Sequence, residues 1–409
     1  ARLDARKTLA EQISGAFTRT QVPIWMDTST SAQCEKITQA LGQDGVLERS
    51  GSIAIERFTG PQIRKFAEHS PQDYERTHLI HLNSSFMCSV LAGQSAPIDH
   101  ADGAGMNLAN IHTWRWDSDL LDATVRGLAQ KLPTLAPSDT CVGTIAPYFC
   151  EKYGLCPSTK IIAFTGDNPS SLVGTGAVLQ GRATISLGTS DTLIYATRAA
   201  NPMPDRHVLG GPAGGYMTLI CFRNGSLARE RLKNELGVDW NFFDKTAFEN
   251  YTPQDDNALC LPFYFDEISP KLRSSTPVFE NMDGANSAQK VRTFIEGQFF
   301  NMYVQCAQSW EQAPQTIVLT GGASKSGGIA RTIANIFGAQ VARLKLTDNS
   351  AALGAAMRAA HAACAIPMER LVETFCTLEP PLLPNKDITK LYAKKIDAFI
   401  RARKRHYGV

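Results

Sequence analysis

From residue 160 to residue 363 the chain keeps to one pattern: a short apolar run, a glycine-bearing polar turn, then a helical stretch. Lys160-Ile161-Ile162-Ala163-Phe164 ends in Thr165-Gly166-Asp167-Asn168. Thr316-Ile317-Val318-Leu319 ends in Thr320-Gly321-Gly322, and a helix is expected over 327–337. Gln340 to Leu346 reads as a further strand and 350–363 as an Ala-rich helix. Such alternation restricts the fold to the α/β class. Within it, Ala183–Leu187 and Thr192–Tyr195 flank Gly188-Thr189-Ser190-Asp191, which predicts a β-hairpin. Tyr216–Phe222 is another strand, Ser226 is expected to cap a helix running to Gly237, and 288–312 carries a long helical pattern.

The texture upstream is different. A helix is expected over 5–17, and Pro23-Ile24-Trp25-Met26 reads as a short strand ending at Asp27. Helical patterns then run from Ser31 to Leu135, broken at Gly51, Gly60, Pro71 and Pro97. A chain of 409 residues suits two or three domains. The change of texture places a boundary near 158, giving a first domain 1–158, a second 159–378 and a C-terminal helical segment 379–409.

Composition narrows the function classes. The net charge is +2, so no global field draws nucleic acid or acidic lipid. No run approaches the roughly eighteen apolar residues that span a bilayer, and no membrane or nucleic-acid partner is expected. Ten cysteines are scattered without a CxxC pair or a Cys/His cluster at zinc spacing. That pattern suits reduced packing thiols in a cytoplasmic protein.

Three turns could carry chemistry. Asp167 follows an apolar strand, and strand ends in α/β sheets are where ligands bind. A carboxylate there could accept a proton from an attacking hydroxyl; it could equally cap the helix that follows. The turn at Gly188 and Thr189 offers close backbone approach and hydroxyls to phosphate oxygens, although any tight turn uses such residues. Gly321-Gly322-Ala323-Ser324 joins a strand to a helix and suits a nucleotide, or is a plain connection; the chain contains no Walker A loop. Arg57 could hold a sugar hydroxyl or lie in a surface ion pair. Asp99 and Asp102 flank His100 as in a metal site or as loop caps. Trp25 and Trp240 could stack on ligand rings or be buried. The basic run from Lys394 to Arg405 reads as the solvated face of a terminal helix.

Taken together, the order and wording of these stretches resemble the FGGY carbohydrate kinases, most nearly their eukaryotic xylulose-phosphorylating members. The matching segments include Trp25-Met26-Asp27-Thr28-Ser29, Glu56-Arg57-Phe58-Thr59-Gly60 and Gly103-Ala104-Gly105-Met106-Asn107. Further on come Phe164-Thr165-Gly166-Asp167-Asn168-Pro169, Ser186-Leu187-Gly188-Thr189-Ser190-Asp191-Thr192, Ile295-Glu296-Gly297-Gln298 and Thr320-Gly321-Gly322-Ala323-Ser324. The resemblance implies an actin-like, ribonuclease-H-like ATPase fold of two lobes with a central cleft, the first lobe incomplete. It implies ATP-dependent phosphorylation of D-xylulose to D-xylulose 5-phosphate with Mg2+, by a monomer or homodimer. By carry-over, Asp167 is the catalytic base, Arg57 and Asn168 contact sugar, and Gly188, Thr189, Trp240, Gly321, Gly322, Ala323 and Ser326 serve the nucleotide. Ser326 stands where the family carries Asn, so that contact is expected to be weaker or replaced. The family's opening Asp-x-Gly-Thr loop and its Gln-His-Gly segment are not among these residues, and the metal ligands stay unassigned. Two alternatives remain at this point: a kinase for another pentulose or polyol, and a non-catalytic sugar- or nucleotide-binding relative.

Overall fold

Residues distant in sequence are gathered into two compact units. The computed structural model describes residues 3–253, 257–345 and 349–409. One unit comprises Ala1–Val173, Arg198–Met217 and Ala351–Leu371; the other comprises Gly174–Thr197, Thr218–Ser350 and Val372–Val409. This division differs from the contiguous one expected at residue 158. The reason lies in long-range bonds: Arg358, from the 351–371 stretch, donates to the carbonyls of Ser138 (2.7 Å) and Ala163 (3.1 Å). Likewise the Val208 N–H donates to Gly51 O at 2.9 Å.

The first unit is mainly helical. Its helices Gln43–Ser50 and Asn83–Ala92 end on Gly51 and Gly93, both left-handed, as C-cap chemistry prefers. Pro71 opens the helix Pro71–Arg76, where its missing N–H costs nothing. The break expected at Gly60 falls at the start of the helix Thr59–His69, where the Gly60 N–H, free of any intrahelical partner, donates to Met106 O. The expected helix over 5–17 shortens to Leu9–Ile13 because Thr8 and Glu11 form a capping box at that point. The strand expected at 23–26 is not formed. Ile24, Trp25 and Met26 are exposed, and the Asp27 N–H closes a turn on Ile24 O (3.0 Å). An apolar run without a ladder partner does not make a strand. Ile63, Met106, Leu108 and Leu121 form one core of this unit, and Cys88, Tyr148, Phe149 and Ile161 another.

The second unit is built on a mixed sheet. Its strands lie in the order Gln340–Arg343, Thr316–Thr320, Arg182–Leu187, Asp191–Thr197, Tyr216–Phe222. The first three are mutually parallel, with Thr320 opposite Ser186. Arg182–Leu187 and Asp191–Thr197 form the expected antiparallel hairpin, Leu187 opposite Asp191. The strand expected over 340–346 spans Gln340–Arg343; Leu346 lies outside the described residues. Ser226 begins the helix Ser226–Glu235 rather than capping it: Gly225 holds the cap, and the Ser226 hydroxyl accepts from Arg229 instead. The helix Ser287–Ala307 crosses the core, its Phe294, Ile295, Phe299 and Phe300 essentially unexposed. Each such side chain contributes about 1.5–3 kcal/mol by burial. Tyr392 and Phe399 of the C-terminal helix Lys386–Tyr407 close the same core. No helix among the described residues is long and apolar enough to cross a membrane.

Candidate functional site

Parallel strands share an edge, and this one places two turns side by side. With Thr320 opposite Ser186, the segments after Leu187 and after Thr320 leave the sheet at the same end. Gly321 has φ of +83°, and a Cβ there would lie 2.5 Å from Leu187 O. Only glycine lets the second turn rest so closely on the first. Gly322 is exposed, with nothing within 4 Å of an added Cβ.

The hairpin turn is held from beneath. Asp191 is buried and bridged bidentately by Arg229, with both N–O distances 2.8 Å. Arg229 also donates to Gln298 Oε1 at 3.1 Å, and the Ser226 N–H donates to Gly188 O at 3.0 Å. Burial pushes the Asp191 carboxyl up, while the Arg229 guanidinium opposes that push. Thr189 and Ser190 are left exposed at the tip. A fixed turn presenting hydroxyls beside an open glycine backbone is a surface that phosphate oxygens can occupy.

Ser326 caps the helix Gly327–Phe337, accepting from the Ile329 N–H (3.3 Å) and donating to Asp244 O (3.1 Å). Its hydroxyl is therefore already engaged in structure. Gly322 and Ser326 also line a cavity of about 730 Å³, with Phe248, Tyr251, Arg331 and Tyr392 on other walls. That volume falls in the range of small-molecule sites, and open backbone and hydroxyls are groups that can meet phosphate oxygens. Ala323 sits in the short 3-10 turn Gly322–Lys325. Trp240 opens the helix Trp240–Asp244, whose last residue lines the cavity. Trp240 itself is 43% exposed, is not among the lining residues, and has Lys233 Nζ 5.3 Å from its ring centroid.

In the first unit, Asp167 is exposed at the start of the helix Asp167–Gly174. Its Oδ1 accepts from the Asn168 N–H (2.8 Å) and Nδ2 (3.3 Å). The preceding Gly166 N–H donates to Asp102 Oδ1 at 3.1 Å. Asp102 also accepts from Ser84, and its own N–H donates to Asp99 Oδ1 at 2.9 Å. Burial, reinforced by the Asp99 charge, holds the Asp102 carboxyl well above the usual carboxylate range; Arg358 works against this. Asp99 in turn accepts from Ser138, whose carbonyl takes the Arg358 bond. The Asp99 and Asp102 pair thus acts as a helix cap and a turn support, and His100 between them stacks on Trp114 at 4.7 Å. Sequence spacing hinted at the cap. Nothing in it pointed to Ser84, Ser138 or Arg358 as the turn's support.

Arg57 is half-buried in the loop leading to Thr59–His69. Trp25 is 72% exposed, which excludes the buried alternative. In the C-terminal basic run, Lys395 is buried against Glu296 (3.3 Å), Arg403 donates to Asn301 and Arg405 pairs with Glu280. Those three cations serve the fold. Among the described residues, no group of three or more His, Cys, Asp or Glu is placed to hold a metal ion.

Comparison with known proteins gives a consistent picture. Residues 20–174 match the N-terminal domain, and residues 183–363 the C-terminal domain, of the FGGY family of carbohydrate kinases. The chain is 38% identical over 381 residues to xylulose kinase 2 of Arabidopsis thaliana, covering 88% of this chain and 68% of that protein. It is 36% identical over 411 residues to the xylulose kinase of Rattus norvegicus, covering 97% and 76%. Among solved structures, the xylulose kinase from Rhodospirillum rubrum superposes with a TM-score of 0.84 at 16% identity, covering 93% of this chain and 78% of that chain. The ligand-bound xylulose kinase from Lactobacillus acidophilus gives 0.82 at 19%, covering 94% and 80%. At such identities the structural likeness concerns the fold, which is the actin-like ATPase fold of this family.

Proposed function

Because the chain belongs to the FGGY family of carbohydrate kinases, we propose that it transfers the γ-phosphoryl group of ATP to the terminal hydroxyl of D-xylulose, giving D-xylulose 5-phosphate. The substrate assignment draws on identities of 36–38% to proteins named xylulose kinases. The observation that carries the chemistry is the close seating of Gly321 on Leu187 O, which sets two phosphate-compatible turns side by side.

Phosphoryl transfer asks mainly for positioning and charge compensation. Asp167 serves as general base: Asn168 occupies Oδ1, and Oδ2 takes the proton of the attacking hydroxyl. Asn168 and Arg57 orient the sugar. The backbone and hydroxyls at Gly188, Thr189 and Ser190 receive phosphate oxygens. Gly321, Gly322 and Ala323 bring backbone against the nucleotide, and the cavity beyond Gly322 and Ser326 takes the nucleoside. Trp240 flanks that region from the helix ending at Asp244. Ser326 acts through the helix start it caps more than by direct contact. Magnesium, when bound with ATP, supplies charge neutralisation on the phosphates; such ions usually keep waters and take only one or two carboxylates. The described residues provide no cage for it on their own.

The test is an ADP-release assay over a panel of pentuloses and polyols. Turnover is expected with D-xylulose and to be abolished in Asp167→Ala. A stronger response to another sugar would reassign the substrate, and near-normal turnover in Asp167→Ala would remove the base.

A further inference from the structure

We propose that His207 is a positioning residue for sugar binding, acting through Arg57. The inference rests on the reading of Arg57 as a sugar contact. Arg57 lies in the stretch between the helices Gln43–Ser50 and Thr59–His69. Its guanidinium makes no hydrogen bond or ion pair with any described residue. The chain on either side of it is nevertheless tightly held. Glu56 O accepts from Thr30 Oγ1 (2.6 Å) and Gln62 Nε2 (3.1 Å). Gly51, at φ +78°, presses on Val208, where an added Cβ would lie 2.2 Å from the carbonyl oxygen. Asn107 Nδ2 lies 2.9 Å from Ser50 Oγ and 3.3 Å from both Ser52 O and Ile53 O.

His207 joins these fixtures. It is buried, its Nδ1 is 3.0 Å from the buried Ser52 Oγ, and its ring packs on Phe58, the neighbour of Arg57, with centroids 5.1 Å apart. One imidazole therefore grips the loop on both sides of Arg57. Burial, with the Arg57 charge adding to it, pushes the imidazole down to about 4, so it is neutral near pH 7 and sets no second positive charge against the guanidinium. A cation held at its root but unpaired at its head is pre-organised for polar oxygens, and pre-organisation lowers the cost of binding. Loosening the root should weaken the sugar contact while sparing the nucleotide.

The experiment measures D-xylulose and ATP binding by calorimetry on the whole chain. It compares the unsubstituted protein with Arg57→Ala, His207→Ala, His207→Asn and the Arg57→Ala/His207→Ala double variant. Each single alanine variant is expected to weaken D-xylulose binding roughly tenfold or more, with ATP binding unchanged. The double variant is expected to bind no more weakly than Arg57→Ala alone, since residues acting through one another are non-additive. His207→Asn, which can still reach Ser52, should recover part of the loss, and it carries the same test if His207→Ala does not fold. Independent, additive losses, or unchanged D-xylulose binding in both His207 variants, would overturn the proposal and leave the Arg57 reading standing. An unchanged Arg57→Ala removes the Arg57 reading instead, and no D-xylulose binding by the unsubstituted chain removes the substrate assignment.

Discussion

Asp191 and Asp167 both sit in glycine-bearing turns near strand ends, yet the fold uses them in opposite ways. Asp191 is 1% exposed and locked to Arg229 by two bonds of 2.8 Å. Asp167 is exposed, and its Oδ1 accepts from the adjacent Asn168. The first carboxylate holds a turn in place so that Thr189 and Ser190 can face outward. The second is itself the group presented. A turn carboxylate takes its role from burial and from the cation it meets, not from the residues beside it in the chain.

That contrast can be broken in several ways. The largest expected effect is on turnover. Asp167→Asn should lower kcat by roughly 10²–10⁴-fold while leaving the melting temperature nearly unchanged; a large loss of stability would show that Asp167 is scaffold too. Arg229→Ala should act the other way round. It strands a buried carboxylate, so urea denaturation should report a loss of about 3–5 kcal/mol, and a change under about 1 kcal/mol would contradict the scaffold role.

A third test uses pH. An unfolded histidine titrates near 6.5, whereas folded His207 titrates at about 4. As pH falls through this window the unfolded chain gains a proton that the folded one refuses. The stability is thus intact above pH ~6.5 and is lost toward pH ~4, by up to about 3 kcal/mol. Denaturation midpoints of His207→Asn should fall less steeply over that window; equal slopes would remove the buried neutral imidazole. The smallest effect concerns the seat of the second turn. Gly321→Ala adds backbone strain of about 1–3 kcal/mol and should weaken ATP binding, measured by calorimetry, more than D-xylulose binding.

Much of the second unit could be read from residues alone. The hairpin at 182–197, the strand Thr316–Thr320 and the helix Gly327–Phe337 follow from apolar period and cap chemistry, which act within a few residues. The strand expected at 23–26 failed because exposure and pairing depend on the rest of the molecule. The support of the Asp167 turn was hidden for a related reason. Asp102 meets Gly166 across 64 residues, and Arg358 meets Ala163 across 195, separations at which local patterns carry no information.

By itself, then, the amino-acid order determined the α/β class, the positions of the turns and which residue types stand in them. Those depend on backbone sterics and short-range periodicity. Tertiary structure decided which aspartate is buried and which is presented, that Gly321 rests on Leu187, and that His207 grips the Arg57 loop. Desolvation and charge pairing are set by neighbours brought from elsewhere in the chain, and only folding supplies them.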